Sequence, residues 1–173
     1  MADLNFELWA EIDEDGFVAL VSPDSYRGFI GEDWTLDQLI PCLLKNLNIG
    51  SLFIVHPGPD LANEPLRIST TRSDSTALRE ASSLIKVGQA GAQLTDYTQL
   101  TMAAQFAEEP PAANTHLALP IPSGVYQVTL RQFALSYEDG VDPAAELILE
   151  PVATGEVEQG FEAIPWWAPD QEH

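Results

Sequence analysis

The chain has 173 residues, 45% apolar and 20% charged, enough to bury a core without disulfides or metals and too apolar for intrinsic disorder. Seven Lys and Arg stand against 27 Asp and Glu, a net charge of −20, so nucleic acid and anionic membranes, both polyanions, are excluded as natural partners. A cation, a basic peptide or a basic protein is the electrostatic opposite, unless the acidity serves solubility alone.

The length favours a single domain over residues 1–173, with two small ones as the alternative. The start, acidic and alternating, lacks the basic and apolar regions of a signal peptide. No stretch of about 20 apolar residues could span a bilayer. A cytoplasmic location is therefore expected. Cys42, the single cysteine, permits no internal disulfide and sits in an apolar run, where a small buried side chain is expected.

Leu4, Phe6, Leu8, Ala10 and Ile12 alternate with Asn5, Glu7, Trp9 and Glu11, the period of a half-buried strand. Residues 13–16 read as a turn and 17–22 as a second strand, together an antiparallel hairpin. After a loop to Asp33, Thr35 and Gln38 match a capping box, with Trp34 and Leu39 as its hydrophobic staple, and a helix is predicted over 36–47. Pro41 either kinks this helix or marks its true first turn. Asn48-Ile49-Gly50 closes it, residues 51–55 form a short buried strand, and 66–70 another.

Residues 77–87 fit a helical stripe and a strand face alike; their β-branched end favours a strand, with a helix at 76–86 as the alternative. Residues 93–98 would be the hairpin partner of that strand, and 107–114 an exposed loop. Leu117, Leu119 and Ile121 alternate, residues 122–124 turn, and 125–130 continue with Tyr126, Val128 and Leu130 on one face. Residues 138–140 turn again before Ala145, Leu147 and Leu149 alternate with Glu146, Ile148 and Glu150. The expected fold class is α+β, mainly antiparallel β, sandwich- or barrel-like, with one helix near 36–47.

Motifs that announce chemistry are scarce. Residues 88–91 lack the Lys-Ser/Thr of a phosphate loop. His56, His116 and His173 stand apart with no metal-ligand spacing, so neither metal nor cofactor is expected. The acidic turn Asp13-Glu14-Asp15-Gly16 resembles a calcium loop, but Ser22 occupies the place of the essential bidentate Glu. Ser83 and Lys86 match an S-x-x-K tetrapeptide whose K-T-G companion is absent. An enzyme would have to use a site without a motif, such as His56 or His116 beside a carboxylate or arginine.

Two surface features point to binding. Glu7, Trp9 and Glu11 share the polar face of the first strand, next to Asp13 and Asp15. A Trp flanked by acids suits an anchor for a basic partner, unless a second layer such as the helix after Trp34 covers it. Trp166-Trp167 poses the same alternative of lid or exposed contact. The second feature is an island of cations. Residues 1–66 hold 12 acids and 2 bases, 67–87 hold 2 and 4, and 88–173 hold 13 and 1. Arg67, Arg72 and Arg79, with Lys86, either pair internally or form an anion site for a small ligand.

From about residue 80 to 151 the order of features is that of a known group. A small-residue strand, Glu80-Ala81-Ser82-Ser83-Leu84, precedes a Gly-containing turn; Pro122-Ser123-Gly124-Val125-Tyr126-Gln127-Val128 follows, then Glu146-Leu147-Ile148-Leu149-Glu150-Pro151. This stretch resembles the ComJ-type nuclease inhibitors and related acidic bacterial immunity proteins. The resemblance implies a sandwich-like β fold and a non-enzymatic protein that blocks a nuclease, and it transfers no individual site residue. The expected function is thus an acidic protein-binding module for a basic protein, with a small-ligand or regulatory β-domain, or an enzyme without a motif, as alternatives.

Overall fold

Period-two segments become strands, and how many of their faces are apolar decides which layer each joins. In the computed structural model, residues 6–112, 118–133 and 143–167 are described. Five strands, β1 (Glu7–Glu11), β4 (Pro65–Ser69), β8 (Ala145–Val152), β7 (Gly124–Gln132) and β5 (Arg79–Val87), form one sheet in the order β1-β4-β8-β7-β5. The β4–β8 pair is parallel and the others are antiparallel. A second, antiparallel sheet has the order β3 (Leu52–Val55), β2 (Val18–Val21), β6 (Gln93–Thr95). Two helices, α1 (Leu36–Ile49) and α2 (Tyr97–Gln105), complete the α+β fold.

Val18, Leu20, Phe53, Val55 and Leu94 of the small sheet pack with Leu66, Ile68, Ile85, Val128 and Leu147 of the large one. The alternate residues Ala19, Val21, Leu52 and Ile54 pack on the other side with Leu39 and Leu43 of α1 and Leu100 and Ala104 of α2. The small sheet is thus the middle of three layers, which is why Val-Ala-Leu-Val and Leu-Phe-Ile-Val are uninterrupted apolar runs.

The same logic corrects the hairpin expected between residues 4–12 and 17–22. β1 keeps one polar face and pairs with β4 at the border of the outer sheet, whereas β2 is apolar on both faces and pairs with β3 and β6. Residues 13–16 carry the chain between layers. Residues 93–95 likewise pair with β2, not with β5, whose partner is β7. Between β5 and β6 the chain passes so close to Asp24 that a Cβ on Gly88 would collide with its carboxylate.

α1 begins as predicted: Gln38 Oε1 accepts the Thr35 backbone N–H at 2.9 Å. It runs through Pro41, which faces solvent, and ends at Gly50 in the left-handed region (φ 81°). A side chain there is doubly opposed, because a Cβ would also meet Val157 at 2.8 Å. Residues 79–87 are a strand. The helix at 97–105 corrects the expectation of one helix; Asp96 caps it by accepting the Gln99 N–H at 2.7 Å. Of the strand expected before residue 122, Leu119 and Ile121 are buried and Ala118 makes a single bridge to Gln93, while Leu117 lies outside the described residues. So do the turn at 138–140, His116 and His173.

Candidate partner-binding surface

The outer face of the large sheet carries one row of charges. Trp9, Arg67, Glu146, Arg131 and Glu80 are successive cross-strand neighbours on β1, β4, β8, β7 and β5. Glu146 is completely buried at its centre. Its Oε2 accepts from Arg67 Nη1 at 2.9 Å, and its Oε1 accepts from Arg131 Nη1 and, at 3.2 Å, from both the N–H and the hydroxyl of Ser73. Arg131 also donates to the Ser75 carbonyl at 2.7 Å. The polar face is therefore closed over by residues 73–75 at this point.

The arginines are engaged with the chain's own oxygens. Arg67 Nε reaches Glu7 Oε2 at 2.9 Å, and Arg72 bridges Glu80 and Glu150 at 3.2 and 3.4 Å. The hydrogen bond that Arg72 donates to Glu80 is the main reason the Arg72 pKa rises. Arg79 donates to the Gln132 side chain at 3.0 Å and the Trp167 carbonyl at 2.9 Å, and lies over the Trp167 ring. An incoming anion would have to displace these partners. Arg67, Arg72 and Arg131 thus pair with Glu7, Glu80, Glu146 and Glu150.

Other carboxylates gather where β1 ends. Gly58 N–H donates to the Gly16 carbonyl at 3.3 Å, Asn63 N–H to Ile12 at 2.8 Å, and Ile12 N–H to Glu64 at 3.0 Å. These bonds tie two chain segments, residues 11–16 and 58–64, into one lobe bearing Glu11, Asp13, Glu14, Asp15, Asp60 and Glu64. Among the described residues no ion pair reaches any of the six. Asp13 is the inward member. It accepts the N–H groups of Asp15 and Phe17 on Oδ1 and of Tyr97 on Oδ2, at 2.8, 3.1 and 2.8 Å, so it folds the turn and holds the start of α2. Desolvation raises its pKa against those bonds. Glu11, Glu14, Asp15 and Asp60 face solvent.

Two tryptophans lie near these segments, Trp9 on β1 two residues before Glu11, and Trp166 against His56, which bonds the Asp15 carbonyl. Trp9 is 49% exposed, and among the described residues no layer covers it; its indole N–H donates to Glu7 Oε1 at 3.1 Å. That bond, with the one from Arg67, holds the Glu7 carboxyl below its usual pKa. Trp166 is also 49% exposed on one face, while the other stacks on His56 at 3.9 Å between ring centroids. His56 N–H bonds the Pro165 carbonyl and Trp167 N–H bonds the His56 carbonyl, at 2.9 and 2.8 Å, so the late segment is a lid on His56 that leaves half of Trp166 in solvent. Phe17 packs against both rings and stacks on Tyr97.

Burial under Trp166 lowers the His56 pKa, opposed by the Asp15 carbonyl at 3.3 Å from Nε2 and by the nearby charges of Asp13 and Asp15. A depressed histidine pKa contributes stability that is complete above the ordinary value of 6.5 and is lost as pH falls below it. The raised Asp13 pKa acts oppositely and in a more acid range, since folding then favours its protonated form. Between about pH 7.5 and about pH 5.5 the His56 effect should dominate this cluster. The urea midpoint should fall over that interval, and His56→Gln should flatten the slope. An unchanged slope in the variant would assign the pH dependence elsewhere.

Three cavities open on the described surface. A cleft of about 370 Å³ is lined by residues including Tyr26, Arg27, Phe29, Ala103 and Glu109, and two others lie around Lys86. None of these three holds a histidine. Cys42 is half-buried, its thiol 3.6 Å from the Arg27 carbonyl and its pKa pushed up by burial, the reverse of an activated nucleophile. Sequence reasoning missed the pairing of His56 with Trp166, for which no local signal exists. It also missed α2, for which Asp96 and Gln99, spaced as in a capping box, were the available sign.

No protein-family model matches the chain, and no curated protein matches it. Two solved structures do. One, described as crocagin biosynthetic gene J, is 10% identical with a TM-score of 0.53, the match covering 87% of this chain and 99% of that one. The other is ComJ from Bacillus subtilis, described as an inhibitor of the DNA degrading activity of NucA: 11% identical, TM-score 0.48, covering 86% and 98%. At such identities the likeness is one of fold, and it extends over most of the chain, beyond the residues 80–151 in which the sequence resemblance lies.

Proposed function

We propose that this chain is a non-enzymatic protein-binding module whose acidic lobe, with Trp9 and Trp166 nearby, docks on the cationic surface of a basic protein, and that the partner is a nuclease. The observation that carries the reading is the conjunction of four solvent-facing carboxylates, Glu11, Glu14, Asp15 and Asp60, free of ion pairs among the described residues, with two half-exposed indoles. Carboxylates supply steering and specificity, and the indoles supply apolar area that a solubility function would not require. A nuclease fits because a surface evolved to attract phosphates also attracts carboxylates. The resemblance of residues 80–151 to nuclease inhibitors points to the same class.

The test is capture of basic nucleases on the immobilised chain at about 0.05 M and about 0.5 M salt, with DNA degradation assayed in parallel. Capture and inhibition should both be strong at low salt and fall steeply at high salt. A variant carrying Glu11→Lys, Glu14→Lys and Asp15→Lys should capture nothing. Retention indifferent to salt and to these reversals would remove the reading.

A further inference from the structure

The two borders of the large sheet are finished differently. At β5 the chain seals its own edge: Gln159 accepts the Leu84 N–H on Oε1 at 2.9 Å and returns its amide N–H to the Leu84 carbonyl at 3.2 Å, and Lys86 N–H bonds the Gly50 carbonyl at 2.7 Å. At β1, among the described residues, no strand pairs on the outer side. Ile12 N–H points to Glu64, toward β4. By the alternation of an antiparallel pair, the backbone groups of Ala10 and Leu8 face β4 as well, and those of Glu7, Trp9 and Glu11 face outward. Pro65, opposite Glu11, agrees: it has no N–H, and its carbonyl accepts from Ala144 on the β8 side.

The core is also unfinished there. Leu66, Ile68, Val128 and Leu147 of the inner strands are fully buried, whereas Leu8 and Ala10 pack against that core only partly covered. A strand laid beside β1 would complete both the hydrogen-bond ladder and the apolar face.

We propose that β1 receives an extended segment of the basic partner as a sixth strand. The proposal rests on the reading of the acidic lobe as the partner surface and specifies how that surface is used. Charge chooses the occupant. The pleat would set basic side chains beside Glu7 and Glu11, apolar ones beside Leu8 and Ala10, and a position of free choice beside Trp9. A second copy is the poorer fit, because antiparallel self-pairing about Trp9 puts Glu7 of each chain against Glu11 of the other.

The probe is an end-blocked peptide with Val-Thr-Val between two lysines, flanked by Gly and Ser. Amide hydrogen exchange of the full chain is followed with and without it, and with a copy N-methylated on alternate residues. At saturation, exchange at Glu7, Trp9 and Glu11 should slow about tenfold or more, while Leu8 and Ala10, already bonded to β4, change little. The copy methylated on the docking edge should lose at least about tenfold in affinity. Protection without alternation, no protection, or equal binding by both N-methylated registers would overturn the proposal. Protection that rises with protein concentration without peptide would give the edge to a second copy and overturn it too. In each case salt-sensitive capture of a basic nuclease would still stand or fall separately, so failure of strand addition is distinguishable from failure of the acidic-lobe reading.

Discussion

Replacing Glu146 by alanine should cost about 3–5 kcal/mol, because it strands two guanidinium groups that have given up water. Arg67 and Arg131 are only 14% and 9% exposed, and Glu146 not at all. Alanine would also leave the Ser73 N–H and hydroxyl without their acceptor and loosen residues 73–75. For a domain of this size the loss corresponds to roughly 6–20 °C in melting temperature. Glu150→Ala, which breaks an exposed contact with Arg72, should cost under about 1 kcal/mol. Urea titrations of both variants decide the matter. A Glu146→Ala loss as small as that of Glu150→Ala would mean that water or a neighbour compensates the arginines. Joint replacement of Arg67, Glu146 and Arg131 by apolar residues should cost less than the three separate changes combined, since no charge is then left unpaired.

Trp9→Ala should weaken binding to the basic partner by about 2 kcal/mol, roughly 30-fold, mainly through faster dissociation. The ring stands half in solvent with a single hydrogen bond, to Glu7, so the free protein should lose little stability. Neutralising Glu11, Glu14 and Asp15 to their amides should act on the other rate. Association should slow about tenfold or more at low salt and change little at high salt, because these side chains steer before contact. His56 is bonded to the backbone carbonyl of Asp15, so the amide at that position spares the Trp166 stack. Association and dissociation rates at two ionic strengths separate the effects. If Trp9→Ala leaves the dissociation rate unchanged, Trp9 is not the anchor.

Local order was legible in the sequence wherever one strand face carries polar side chains. The alternation of residues 7–11, 125–130 and 145–149 and the Thr35–Gln38 box each specify their element without outside help. Pairing was not, because adjacency along the chain suggests hairpins while burial on both faces sends Val18–Val21 to the middle layer. α2 buries only Leu100, Ala103 and Ala104, too small a stripe to stand out. Among the site residues, Glu7, Trp9 and Glu11 follow from periodicity alone. The inward turn of Asp13 depends on the N–H of Tyr97, far along the chain, and the closing of residues 73–75 over Glu146 depends on side chains from three segments. Contacts between segments so distant in sequence leave no periodic trace.

The amide of Gln159 imitates a neighbouring backbone, and its consequence lies in stoichiometry. A ribbon that can be extended at both borders grows without limit, as fibrils do. Here, among the described residues, one border of the large sheet is already occupied by the protein's own glutamine, so edge-to-edge growth of that sheet should end after one addition.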